Sequence, residues 1–177
     1  MFTMEVDQDI QLSLVEESFT EQYEALVKAN YDYLKQWLAW PEFCQSADDF
    51  KGFVKKSLHD YADGKSLSCG LIYQGKLVGN ISFNSIDPKL KKVEIGYWLS
   101  ADYQGKGIIT RACQHLIDYA FTQLDMQKVQ ISAAKDNQAS RAVCERLGMT
   151  LEGVITHAEK IGDRILDHAI YGIYKEG

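Results

Sequence analysis

The sequence predicts an α/β fold: a mixed, mostly antiparallel central sheet flanked by helices. Two observations carry this. Segments with strand and helix periodicity follow one another as β, α, α, β, β, β, α, β, α, β, β, with no repeat, low-complexity tract or linker. Tight turns such as Gln74-Gly75 and Gly162-Asp163 join strands as hairpins, whereas one helix joins two strands as a right-handed crossover. Antiparallel and parallel pairs must therefore share the sheet. The 177 residues fit one domain, 1–177, with a core of its own.

Ile10 to Glu16 (IQLSLVE) alternates apolar and polar residues and reads as a strand. Ser18 and Thr20 offer caps for the helix that follows, EQYEALVKANYDYLKQWL, where Tyr23, Leu26, Val27, Tyr31 and Leu34 recur at helical spacing. Pro41 closes this segment, because proline has no N–H to continue a helix. In SADDFKGFVKKSLHDYADG, Ser46 can cap a second helix, Asp48 and Asp49 suit its positive N-terminal end, and Gly64 can stop it. LSCGLIY and KLVGNISF flank Gln74-Gly75 as a hairpin, and KKVEIGYWLS is a third strand entered through Asp87-Pro88. A helix starting near Gly107 carries Ile108, Ala112, Leu116, Ile117, Ala120 and Phe121 as one apolar stripe. QKVQISAA is a strand and NQASRAVCERLG a short helix ending at Gly148. The final segment, EGVITHAEKIGDRILDHAIYGIY, reads as two strands around Gly162-Asp163.

Composition narrows the function. With 19 basic and 25 acidic residues and a formal charge of -6, the chain is no general nucleic-acid binder, which needs a positive face. The start, MFTMEVDQDIQL, carries acids and no long apolar run, so neither a signal peptide nor a membrane partner is expected. Cys44, Cys69, Cys113 and Cys144 show no C-x-x-C spacing and read as reduced thiols of a cytoplasmic protein. His59, His115, His157 and His168 are scattered, with no H-E-x-x-H, so no metal site is expected.

The stretch YWLSADYQGKGIITRA (97–112) is the most informative. A strand breaks at Gln104-Gly105-Lys106-Gly107 and runs straight into a helix. A helix N-terminus exposes N–H groups without partners and favours negative charge, and glycines there let a phosphate approach the backbone. The same glycines could simply satisfy the backbone of a strand-to-helix connection, and residue types alone leave both readings open. Two nucleotide motifs fail. Thr110 stands where G-x-G-x-x-G needs its third glycine, and Ile108 and Ile109 follow Gly107 where a P-loop needs Lys and Ser or Thr.

EIGYWLSADYQGKGIITRACQHLIDYAF resembles the coenzyme A–binding segment of the GCN5-related N-acetyltransferase (GNAT) superfamily, whose pattern is Q/R-x-x-G-x-G/A. Gln104 and Gly107 match it. Ile109 departs from its final small position and marks where an altered loop path would be sought. WLAWPEFCQSADDF, GNISFNSIDP and DNQAS…LGMTLEGV…AEKIGD extend the likeness over nearly the whole chain, toward the branch that acetylates ribosomal-protein N-termini (RimL/RimJ type).

The resemblance implies an enzyme that moves an acetyl group from acetyl-CoA to an amine, on a sheet whose parallel strand pair is splayed. Backbone amides of Gln104, Gly105, Lys106, Gly107, Ile108, Ile109 and Thr110 would hold the diphosphate, with Lys106 or Arg111 adding charge or remaining solvated. Tyr97, Trp98 and Leu99 would line the pantetheine arm, and the Leu99 N–H would face the thioester oxyanion. Asn137 would sit beside the arm or merely cap its helix. Ser140 would lie near the departing sulfur. Glu159 matches the branch's glutamate near the acceptor. Glu94 is a weaker candidate base, and His157, sharing a face with Glu159 on an alternating strand, would be a second base or simply a surface histidine. Trp37 and Trp40 would wall the acceptor groove or simply pack their helices. Transfer would be direct, in a ternary complex, with no acetyl group on Cys144. The implied acceptor is a protein N-terminus, ribosomal in this branch; small amines such as polyamines or amino sugars, and a non-catalytic coenzyme-binding module, are the alternatives. Relatives are often homodimers.

Overall fold

A computed structural model describes residues 2–177. Its strands are β1 (Thr3–Glu5), β2 (Ile10–Leu14), β3 (Leu67–Tyr73), β4 (Lys76–Asp87), β5 (Lys92–Leu99), β6 (Lys128–Ala134), β7 (Thr150–Ile161) and β8 (Arg164–Tyr174). The helices are α1 (Thr20–Leu34), α2 (Ala47–Ala62), α3 (Ile108–Thr122) and α4 (Gln138–Arg146). One sheet holds all eight strands in the order β1-β2-β3-β4-β5-β6-β8-β7. Every neighbouring pair is antiparallel except β5 and β6, which run parallel across the α3 crossover. The predicted order holds, with β1 added; at three residues that strand is too short to show a period.

Alternation along the strands assigns the helices to faces. Tyr97 and Leu99 pack with α3 residues such as Ile108 and Leu116, whereas Trp98 between them packs with Tyr23, Val27 and Phe50 of α1 and α2. Successive strand side chains point to opposite faces. Thus α1 and α2 cover one side of the sheet, and α3, with α4 beside it, covers the other. Among the described residues no helix is long and apolar enough to cross a membrane.

The caps explain where the helices begin. Ser46 caps α2 with a full capping box: its hydroxyl accepts from the Asp49 N–H, and the Asp49 carboxylate accepts from the Ser46 N–H, both at 3.1 Å. The start of α1 departs from expectation. A 3-10 turn, Glu17–Phe19, leads into it, Phe19 occupies the cap position, and neither Ser18 nor Thr20 caps through its side chain. Its end is also earlier. The Leu34 carbonyl accepts from the N–H groups of both Trp37 and Leu38, so the chain turns before Pro41 is reached. This places Trp40 5.7 Å from the ring of Trp98.

The parallel pair is short. β5 and β6 are in register only from Lys92/Lys128 to Ile95/Ile131. Beyond that, β5 stays with β4 to Leu99, while β6 stays with β8 to Ala134. A wedge opens between them. Gly79 holds the β4 side of this wedge, because a Cβ there would fall on the Trp98 carbonyl oxygen, far inside van der Waals contact. Gly79→Ala should therefore push β4 from β5 and cost about 1–3 kcal/mol. At roughly 2–4 °C per kcal/mol for a chain of this size, calorimetry should show a clear fall in Tm.

Candidate active site

The wedge leads into a cleft of about 1050 Å³ between the two helical layers. Every residue singled out above for coenzyme, catalysis or acceptor borders it, Glu94 among them, except Lys106, Arg111 and His157; Lys106 is exposed outside.

The strand edge comes first. The Ser100 N–H donates to the Val78 carbonyl of β4 at 2.9 Å. Peptide direction alternates along a strand, so the N–H groups of Leu99 and Tyr97 point the other way, to the side β6 has left. The Leu99 carbonyl is on that side as well, where it accepts from the Gln104 amide at 3.5 Å. Such an edge can pair with an extended chain carrying amides of its own.

The glycine turn follows. Gly105 and Gly107 have φ of 77° and 71°, a region that side chains rarely adopt. Gly107 is the cap residue of α3, with no side chain capping it, and the first bond into the helix is Arg111 N–H to Gly107 carbonyl at 3.1 Å. The N–H groups of Ile108, Ile109 and Thr110 precede that bond and remain at the helix end. They form a compact donor cluster at a positive dipole, suited to a diphosphate. Ile109 sits in this regular first turn with its side chain buried in the core.

Arg111 takes neither role offered by the sequence. Its Nη1 lies 2.7 Å from the Asp7 carboxylate, while Nε and Nη2 donate to the carbonyls of Gly107 and Lys106 at 3.3 and 3.2 Å. It therefore ties the turn to the β1–β2 connection. A different arginine borders the cleft: Arg146 of α4 reaches the Thr110 hydroxyl with Nε and Nη2, both at 3.3 Å.

Across the wedge, Asn137 does cap α4, accepting from the Ser140 N–H at 3.2 Å. The cap fixes Ser140, whose Oγ lies 2.6 Å from the Tyr97 hydroxyl. Burial, aided by the neighbouring Cys113, pushes the Tyr97 phenol well up, so it stays a hydrogen-bond donor. The sequence points only to the Tyr97 backbone; its hydroxyl meets Ser140 of α4 across 43 positions that no local spacing relates.

At the other end, Glu159 Oε2 and His168 Nε2 lie 3.0 Å apart, both bordering the cleft. His157 does not share their face. β7 carries a bulge between Ile155 and Glu159, His157 has φ of 53°, and its N–H donates outward to Asp167 at 3.0 Å. The bulge rotates it out of the alternation assumed for it. His168 was missed, although a signal existed. A two-residue turn at Gly162-Asp163 sets Glu159 opposite Leu166, which makes His168 its diagonal neighbour on the same face. Glu94 is engaged by Gln130 Nε2 at 2.9 Å.

Trp37 and Trp40 border this same end. Trp40 also packs edge-on to Phe50 at 6.2 Å, so it lines the cleft and packs against α2 at once. The β7–β8 turn reaches over to the end of α1, where Arg164 Nη2 donates to the carbonyls of Gln36 and Lys35 at 2.7 and 3.4 Å.

Comparison with known proteins bears on this arrangement. Residues 14–150 match the family model described as Acetyltransferase (GNAT) domain. YdaF of Bacillus subtilis (strain 168), provisionally named a ribosomal N-acetyltransferase, is 41% identical over 154 residues, 86% of this chain and 84% of its own. The ribosomal-protein-serine acetyltransferase of Escherichia coli (strain K12) is 34% identical over 169 residues, 96% of this chain and 94% of its own. Among solved structures, RimL, a ribosomal L7/L12 α-N-protein acetyltransferase in complex with coenzyme A, superposes with a TM-score of 0.94 at 30% identity, covering 98% of each chain.

Cys144 beside Ser140 on α4 is not poised as a nucleophile, on physical grounds. Cys144 and Cys113 are fully buried, and burial pushes the Cys144 thiol up to about 12. A raised value keeps the neutral thiol, so no thiolate is available near neutrality. Alkylation of Cys144 by iodoacetamide should be negligible in the folded protein from pH 7 to 9. Peptide mapping should show it modified only after unfolding.

Proposed function

This chain belongs to the GNAT acetyltransferase family and is an acetyl-CoA-dependent N-acetyltransferase, and from that premise we propose that it acetylates the N-terminal α-amine of a ribosomal protein, with an N-terminal serine the first candidate. The observation that carries the proposal is the joining, in one cleft, of an open strand edge, a glycine turn at a helix end and a carboxylate–imidazole pair. The acceptor itself is supported by likeness to the serine-specific relative over 96% of this chain.

In this reading acetyl-CoA supplies an activated acetyl group, and the protein does the rest. The N–H groups from Gly105 through Thr110 bind the diphosphate, with Lys106 contributing its backbone alone; the Gln104 N–H is not among them, because it donates to the Ala101 carbonyl at 3.2 Å. The free edge at Tyr97 and Leu99 aligns the pantetheine arm, with Trp98 between them turning its backbone toward β4 and Asn137 opposite. The Leu99 N–H faces the carbonyl oxygen as it gains charge, which a fixed donor stabilises without reorganising. Ser140, steadied by Tyr97, donates toward the sulfur. Trp37 and Trp40 flank the amine, and Glu159 governs its proton. Transfer is direct within a ternary complex.

An α-amine needs less help from a base than a side-chain amine does. With a pKa of about 7.7–8, roughly a tenth is neutral at pH 7, against less than a thousandth of a lysine amine. The proposed setting is the cytoplasm, and a homodimer is compatible with the reading.

Mass spectrometry of ribosomal proteins incubated with the enzyme and acetyl-CoA tests the acceptor. The expected product is a single acetyl group on an N-terminal residue; modification of spermidine alone, with every ribosomal N-terminus untouched, would replace it by a polyamine acceptor. Glu159→Gln should lower kcat by about 30–100-fold while leaving the KM for acetyl-CoA near the parent value. Ser140→Ala and Tyr97→Phe should each slow turnover roughly tenfold without abolishing it. Because the two hydroxyls share one bond, the double variant should be at most about threefold slower than either single one.

A further inference from the structure

The carboxylate–imidazole pair is asymmetric. The Glu159 carboxylate can only accept a hydrogen bond when ionised, so the ring nitrogen facing it, His168 Nε2, carries the proton. A neutral ring then has its lone pair on Nδ1. Among the described residues Nδ1 has no hydrogen-bond partner, and it is not sealed from solvent. The backbone that carries the ring is also held. His168 pairs with Ala134 at the end of β6 and with Ile155 of β7. Its neighbour Asp167 accepts from the Lys135 N–H through its carbonyl at 2.8 Å and from the His157 N–H through its carboxylate at 3.0 Å. The side chains of His168 and Glu159 are 18% and 31% exposed, reachable from the cleft yet largely shielded.

We propose that His168 Nδ1, oriented by Glu159, is the atom that takes the proton from the attacking amine. The inference rests on the reading that this end of the cleft receives the acceptor. As the nitrogen lone pair forms the bond to the acetyl carbon, the carbon–sulfur pair leaves with sulfur. The surplus N–H proton passes to Nδ1, and the resulting imidazolium stays paired with the Glu159 carboxylate. That proton then goes to water, and the thiolate takes one from solvent or through Ser140, so charge balances. Imidazole as a class is better matched to neutral pH than a carboxylate, and an oriented ring is a familiar proton acceptor. The other titratable groups bordering the cleft are otherwise placed. Glu94 of β5 holds Gln130, Tyr97 holds Ser140, Arg146 of α4 holds Thr110, Tyr23 of α1 is hydrogen-bonded to Asn80, and Tyr33, Cys44 and Tyr103 lie on the helix and turn segments.

Two variants test this. His168→Gln keeps a donor for Glu159 but has no base; His168→Ala leaves room for added imidazole. Both should lose about 100-fold in kcat with the KM for acetyl-CoA within about twofold of parent. Imidazole should restore roughly tenfold to His168→Ala. A folded variant that keeps kcat within about threefold, or no rescue of folded His168→Ala, would each overturn the proposal. If His168→Ala does not fold, the kcat and KM of His168→Gln decide. Thiol release is measured with whichever amine the parent accepts, so a parent that ignores ribosomal N-termini and takes spermidine sinks the acceptor reading while the His168 test still stands.

Discussion

A buried backbone amide must be hydrogen-bonded, and in this protein a central strand keeps one edge of its amides free. β5 loses β6 after Ile95 and continues for four residues against β4 alone. Everything around the cleft follows from that divergence. It opens the space, supplies a row of directional donors and acceptors, and does so at the heart of the sheet, where the strand is rigid. An edge at the margin of a sheet would invite another chain; here α1, α2, α3 and α4 surround it, so only a slender partner fits. The Leu99 N–H, the proposed oxyanion donor, belongs to this edge.

Helix ends are then put to use around the edge. One end of α3 is left uncapped by any side chain, while α4 begins with a fully used cap at Asn137. The contrast is physical. An unfilled helix end can take a negative ligand, whereas a filled one fixes the geometry of its first turn, here the hydroxyl of Ser140 beside Tyr97. Arg111 reinforces the first arrangement by satisfying the carbonyls of the glycine turn, which leaves its N–H side facing the cleft. In the proposed mechanism the charge-binding and proton-handling parts are thereby held by separate elements.

Much of the fold was legible because its signals are local. The Gln74-Gly75 turn has positive φ at both positions, as a two-residue hairpin needs, and the α3 stripe is buried as the period required. The Ser46 cap was readable for the same reason. The α1 boundary was not, because it is set by where Trp40 must pack rather than by any stop residue. The donor half of the candidate site was likewise written in a contiguous segment, 97–110. The acceptor half was only partly readable. Trp37 and Glu159 were visible as residues, but the Glu159–His168 pairing depends on hairpin register, and a bulge just before Glu159 moves His157 off the face where simple alternation puts it. Tyr97 and Ser140 meet across 43 positions of sequence, a distance over which no periodicity speaks.

The bonds from Arg164 to the end of α1 have a topological consequence. From β5 one can pass to β6, β8, the β7–β8 turn, Arg164, α1 and back through the sheet to β5 without leaving protein. That circuit is closed at one point by a side chain and not by backbone, so the β7–β8 turn and the end of α1 stay together only while the Arg164 guanidinium holds the Gln36 and Lys35 carbonyls.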